Sequence, residues 1–139
     1  MKKLAALLMA IVMVLSVTAC GGGNASDDEG AMITAYIEID YPDGCGVSDV
    51  EEFPVEIPDG TNAMEMLQLY ADANNVKVTL ADTSPTIYVT SIGGVAENAD
   101  AGWVYEVNDE MTMDAADQHI VKEGQMITWE YMTWSELSE

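Results

Sequence analysis

Two cysteines, one histidine and a large excess of carboxylates are the side chains of this 139-residue chain that could make bonds or hold ions. Nucleophilic catalysis needs a thiol or hydroxyl within reach of a base, and zinc sites need several sulfur or imidazole ligands. Here Cys45 lies between two glycines in a turn-rich stretch, and His119 stands in a distant polar one. No Gly-x-Ser-x-Gly motif and no second histidine accompany them. The carboxylates gather in two runs, Asp43 to Glu52 and Asp109 to Asp117. Calcium takes six to eight oxygens, and neither run has the spacing of an EF-hand loop. Both runs read as solvated acidic surface, with no metal site assigned. The chain is therefore expected not to be an enzyme.

Cys20 has a different chemistry in prospect. Met1-Lys2-Lys3 is cationic, and Leu4 to Val17 is an almost unbroken apolar run. That run is shorter than the roughly 20 residues of a permanent spanning helix and fits a secretory signal peptide, residues 1–19. Val17-Thr18-Ala19-Cys20 resembles the bacterial lipobox, whose cysteine receives a diacylglycerol thioether before cleavage in front of it. Cys20 is thus the expected lipidation site and membrane partner. Residues 20–30, three glycines and then polar and acidic residues, form the expected flexible linker. The folded part, 31–139, is then extracytoplasmic, anchored at the cell envelope. A lipidated Cys20 leaves Cys45 without a disulfide partner.

Beyond residue 19 only Lys77 and Lys122 oppose 25 acidic residues, and the chain contains no arginine. Such a surface cannot release counterions from phosphates, which excludes nucleic acid as a partner.

The elements that would position these side chains follow from periodicity. Ile33, Ala35, Ile37 and Ile39 alternate with polar residues as a half-buried strand does. Phe53, Val55 and Ile57 form a second strand, placed at a sheet edge because Pro54 and Pro58 cannot donate ladder bonds. Thr61 is the expected N-cap of a helix carrying Met64, Leu67 and Tyr70 and stopping at Asn74-Asn75. Val76 to Leu80, Ile87 to Ile92, Trp103 to Val107 and Ile127 to Tyr131 read as further strands, with turns at Gly93-Gly94 and Asn108-Asp109. The expected fold class is α+β, a single β-grasp (ubiquitin-like) domain with a mixed sheet of about five strands packed by one helix.

"PDGTNAMEML", "IYVTSIGGVAENADAGWVYEVND" and "VKEGQMITWEY" stand in the order of the motifs of the transcobalamin-like C-terminal domain family, a group filed among domains of unknown function. The chain resembles that family over nearly all of 31–132. The resemblance implies a β-grasp fold and, in bacteria, a place in lipoproteins or surface proteins. In vitamin B12 carriers of animals the related module is one half of a clamp around cobalamin, beside a helical barrel domain that is not expected among residues 31–139. The implied binding edge is Thr90, Ser91, Ile92, Gly93 and Gly94, where paired glycines expose backbone amides. Trp103 and Tyr105, on one side of a strand, could stack on a flat ligand or pack in the core. The expected role is a membrane-anchored binding or adhesion module. Scavenging of a corrinoid such as cobalamin, or of another flat cofactor, is the alternative, and a purely structural surface domain is a third. A small flat molecule or a protein at the cell surface is the expected partner, and no cofactor is certain.

Overall fold

A computed structural model describes residues 30–139. The expectations placed on residues 1–29, including Cys20 as the lipidation site, lie outside the described residues.

Nine residues, Met32–Asp40, form β1, and alternation buries Ala35, Ile37 and Ile39 completely while Tyr36, Glu38 and Asp40 take the other face. β2, Val50–Pro58, pairs antiparallel with β1, and its two prolines sit on the open edge as expected. A register shift between Ile37 and Ile39 makes room for Glu51 and Glu52, and Glu52 has a positive φ of 32°.

The chain then turns into α1, Ala63–Asn74. Its N-cap is Asn62, one residue later than expected. Asn62 Oδ1 accepts from the Glu65 amide at 2.7 Å and Glu65 Oε2 accepts from the Asn62 amide at 3.1 Å, a reciprocal pair that Thr61 cannot form because Glu65 stands three residues after Asn62. Thr61 instead donates its hydroxyl to the Pro58 carbonyl at 2.6 Å and is buried. Asn75 ends the helix in the left-handed region, φ 55°. Met66 and Leu67 are fully buried, which identifies the face that α1 lays on the sheet.

Six further strands complete the described residues: β3 (Val78–Asp82), β4 (Ile87–Ile92), β5 (Val95–Ala96), β6 (Ala101–Val107), β7 (Glu110–Met111) and β8 (Met126–Thr133), followed by a 3-10 turn at Glu136–Ser138. Val76 lies just before β3 rather than within it. The expected mixed sheet of five strands is present in the order β2-β1-β8-β6-β7, with β8 parallel to β1 and antiparallel to β6. The α+β class and the one packed helix also hold among the described residues, and the correction concerns the sheet alone, because β3, β4 and β5 form a separate three-stranded sheet. Val89 and Ile92 of β4 turn inward and join the same core as Trp103, Ile127 and α1, so the small sheet and the helix close one face of the large sheet together. Among the described residues no helix is long and apolar enough to cross a membrane.

Candidate functional site

The stretch Thr90–Gly94 ends β4 and turns into β5. Ile92 pairs with Val95, leaving Gly93 and Gly94 as a two-residue turn with φ of 61° and 83°. Two successive positive φ values match the twist of a hairpin and are natural for glycine. Gly93 has a second requirement. A Cβ built there would stand 2.5 Å from the Tyr41 hydroxyl, whereas at Gly94 it would meet nothing within 4 Å. The Gly93 amide also donates to the Lys77 carbonyl at 2.8 Å.

Of the five edge residues, Ile92 is buried in the core and Gly94 is exposed. Thr90, Ser91 and Gly93 are half-buried. The Thr90 hydroxyl is held by the Thr79 carbonyl at 3.1 Å, and the Thr90 carbonyl accepts from the Glu97 amide at 2.8 Å. The surface offered to solvent is thus backbone around Gly94 more than side chain.

Trp103 and Tyr105 do not form an open stacking wall. They are 7% and 8% exposed, because the inward face of β6 on which they lie is closed by β4 and α1. Each uses its polar atom as a tether. Trp103 Nε1 donates to the Val95 carbonyl at 2.9 Å, and its ring meets Tyr41 and Tyr131 edge-on at 5.4 and 5.3 Å. The Tyr131 hydroxyl donates to the Ala96 carbonyl at 3.0 Å. Tyr41, Trp103 and Tyr131 therefore stand behind the β4–β5 hairpin, and Trp103 and Tyr131 hold the two residues of β5 by their carbonyls. Burial first, then Tyr70, Cys45 and Asp49, push the Tyr41 phenol up to about 12, so it stays neutral at any physiological pH. Tyr105 tethers a different segment, donating to the Asp114 carbonyl.

The other chemistry-bearing residues stay apart. Cys45 is a free thiol whose sulfur contacts only the Val47 backbone among hydrogen-bond partners, and His119 Nε2 lies 3.1 Å from Gln125 Oε1. Among the described residues no three carboxylates, imidazoles or thiols converge closely enough to hold a metal ion. An open groove of ≈ 600 Å³ runs along α1 past Gln68, Leu69 and Asp72, on residues that sequence reasoning did not single out. A crevice of ≈ 160 Å³ lies between Met64, Ile87, Val89, Tyr105 and Trp129, a volume suited to a single small ring at most.

The family model described as "Domain of unknown function (DUF4430)" matches residues 60–133. No curated protein matches. Among solved structures, haptocorrin in complex with Cbi is similar at a TM-score of 0.66 and 15% identity, over 75% of this chain and 26% of that one. The chain thus spans about a quarter of haptocorrin, and the likeness is one of fold. A protein from Ruminococcus gnavus, described provisionally as metal binding, is similar at a TM-score of 0.47 and 15% identity, over 73% of this chain and 96% of that one.

Proposed function

We propose, for a chain that belongs to the DUF4430 family, that it is a non-enzymatic binding module, anchored by a lipid on Cys20 at the outer side of the cell membrane. We read its five-stranded sheet, with β8 running parallel between β1 and β6 and one helix across it, as a β-grasp. The proposed contact edge is the β4–β5 hairpin. The observation that carries this reading is the aromatic support behind the hairpin: Trp103 and Tyr131 hold the carbonyls of Val95 and Ala96, so the exposed backbone at Gly94 is fixed before any ligand arrives. A preformed edge loses little conformational entropy on binding.

A corrinoid is the second reading, favoured by the fold shared with haptocorrin. Trp103 is then a support and not a platform, and ring contacts fall to the backbone of the turn. One edge encloses less of a ligand than a pocket does, so affinity is weak unless a partner supplies an opposing wall. Calorimetric titration of corrinoids into the purified protein tests both readings. Weak heat that disappears in Gly94→Asn, a variant that puts a side chain on the exposed rim, is expected. No heat at near-millimolar protein removes the corrinoid, and heat that Gly94→Asn leaves untouched removes the hairpin.

A further inference from the structure

Thr128 is placed where its hydroxyl has no evident use. Ile127 and Trp129 enter the core, so alternation along β8 sends the Thr128 side chain to the opposite face of the large sheet, which neither α1 nor the small sheet covers. On that face Tyr36, Glu38, Val104, Glu106 and Glu130 are all half-exposed, yet Thr128 is only 5% exposed and its Oγ1 has no hydrogen-bond partner. Buried hydroxyls are normally paired, because an unpaired one has lost water and gained nothing.

Its surroundings are acidic on both sides. Register puts Glu38 of β1 and Glu106 of β6 directly beside Thr128, and Asp40 beside Glu130 in the next row. Lys77 and Lys122 lie on none of these strands. Burial, then the neighbouring carboxylates, raise the pKa of Glu38, Asp40 and Glu130. Like charges side by side on paired strands work against the sheet that carries them. The spacing decides what could relieve them. Side chains on adjacent strands stand about 4.8 Å apart and those two residues along a strand about 6.7 Å, so Glu38 and Glu106, on either side of β8, stand about 9.6 Å apart. A calcium ion gathers its oxygens at about 2.4 Å, and these carboxylates do not converge in that way. The lattice suits ammonium or guanidinium groups that each enter between two carboxylates.

We infer that this face of the five-stranded sheet, which no other element covers, is a docking surface for a basic polypeptide segment, one of whose Lys or Arg side chains enters between Glu38 and Glu106, displaces the side chains that close over Thr128 and donates to its Oγ1. The inference is independent of the hairpin, since it concerns the opposite face of the sheet. The test is titration of a synthetic peptide of alternating arginine and serine into the purified protein at low ionic strength, where exposed charge pairs are least screened. Thr128→Val is expected to weaken binding about fivefold, the worth of one hydrogen bond, and to raise the melting temperature, because an unpaired hydroxyl gives way to a methyl of the same shape. Thr128→Ser keeps the hydroxyl and the affinity. Glu38→Gln with Glu106→Gln weakens binding at least about fivefold, while Asp59→Asn with Asp72→Asn, equal in charge but off the face, does not. Three results would overturn the inference: equal binding by the two double variants, which means attraction to overall charge alone; a lower melting temperature for Thr128→Val; or millimolar calcium stabilising the wild type but not Glu38→Gln with Glu106→Gln, which makes the occupant an ion.

Discussion

Two hairpin turns of this chain share a backbone conformation and differ in everything else. Gly93-Gly94 joins β4 to β5 and Asn108-Asp109 joins β6 to β7, and all four residues have φ between 51° and 83°. Asparagine and aspartate tolerate the left-handed region well enough for the second turn, where Asn108 adds a bond of its own by accepting from the Met126 amide at 2.9 Å. The first turn has no such latitude at Gly93, because Tyr41 occupies the space of a side chain. One turn is thus specified by conformation and the other by conformation and packing together. The packed turn is the one whose backbone the aromatic residues hold in place.

The largest expected effect breaks that difference directly. Gly93→Ala is predicted to cost about 1–3 kcal/mol, from a strained positive φ and the collision with Tyr41. Chemical denaturation measures it, and adding Tyr41→Phe should recover part of the loss by removing the oxygen that a Cβ meets first. Recovery of nothing would mean that φ alone sets the cost, and the two turns would then be equivalent.

Trp103→Phe is next. It removes the indole N–H from the Val95 carbonyl and part of the ring from the core, a predicted loss of about 1–2 kcal/mol. Hydrogen exchange should accelerate in the amides of 92–97 more than in those of β1. Uniform acceleration would show that Trp103 fills the core without supporting the hairpin.

Gly94→Asn should change stability by about 0.5 kcal/mol or less, since the position is open and asparagine adopts this φ. An effect as large as that of Gly93→Ala would refute the distinction drawn between the two glycines.

Much of this was legible in the sequence. Asn-Asp and Gly-Gly mark turns whatever surrounds them, and the alternation of Ile33 to Ile39 and of Ile127 to Tyr131 fixes which residues share a face. The N-cap slipped by one because Thr61 and Asn62 are both capping types. The Glu at position 65 was the signal that favoured Asn62. The separate small sheet was not legible, since alternation reports a strand's two faces but not the strands it will join. For the same reason Trp103 and Tyr105 could be assigned to one side of β6, while whether that side was closed depended on where β4 and α1 packed. Thr128 gave no local signal, because its isolation follows from partners about 90 residues back on β1 and about 22 back on β6.

The central claim is that the β4–β5 hairpin, supported from behind, is the binding edge. Residue-resolved amide shifts during titration of a corrinoid into isotope-labelled protein test it most directly. Perturbations centred on Thr90 to Glu97 are expected, with the Trp103 indole N–H still bonded to Val95 and little moved. Perturbations centred on Gln68, Asp72 and Val76 along the α1 groove, with the hairpin silent, would contradict it.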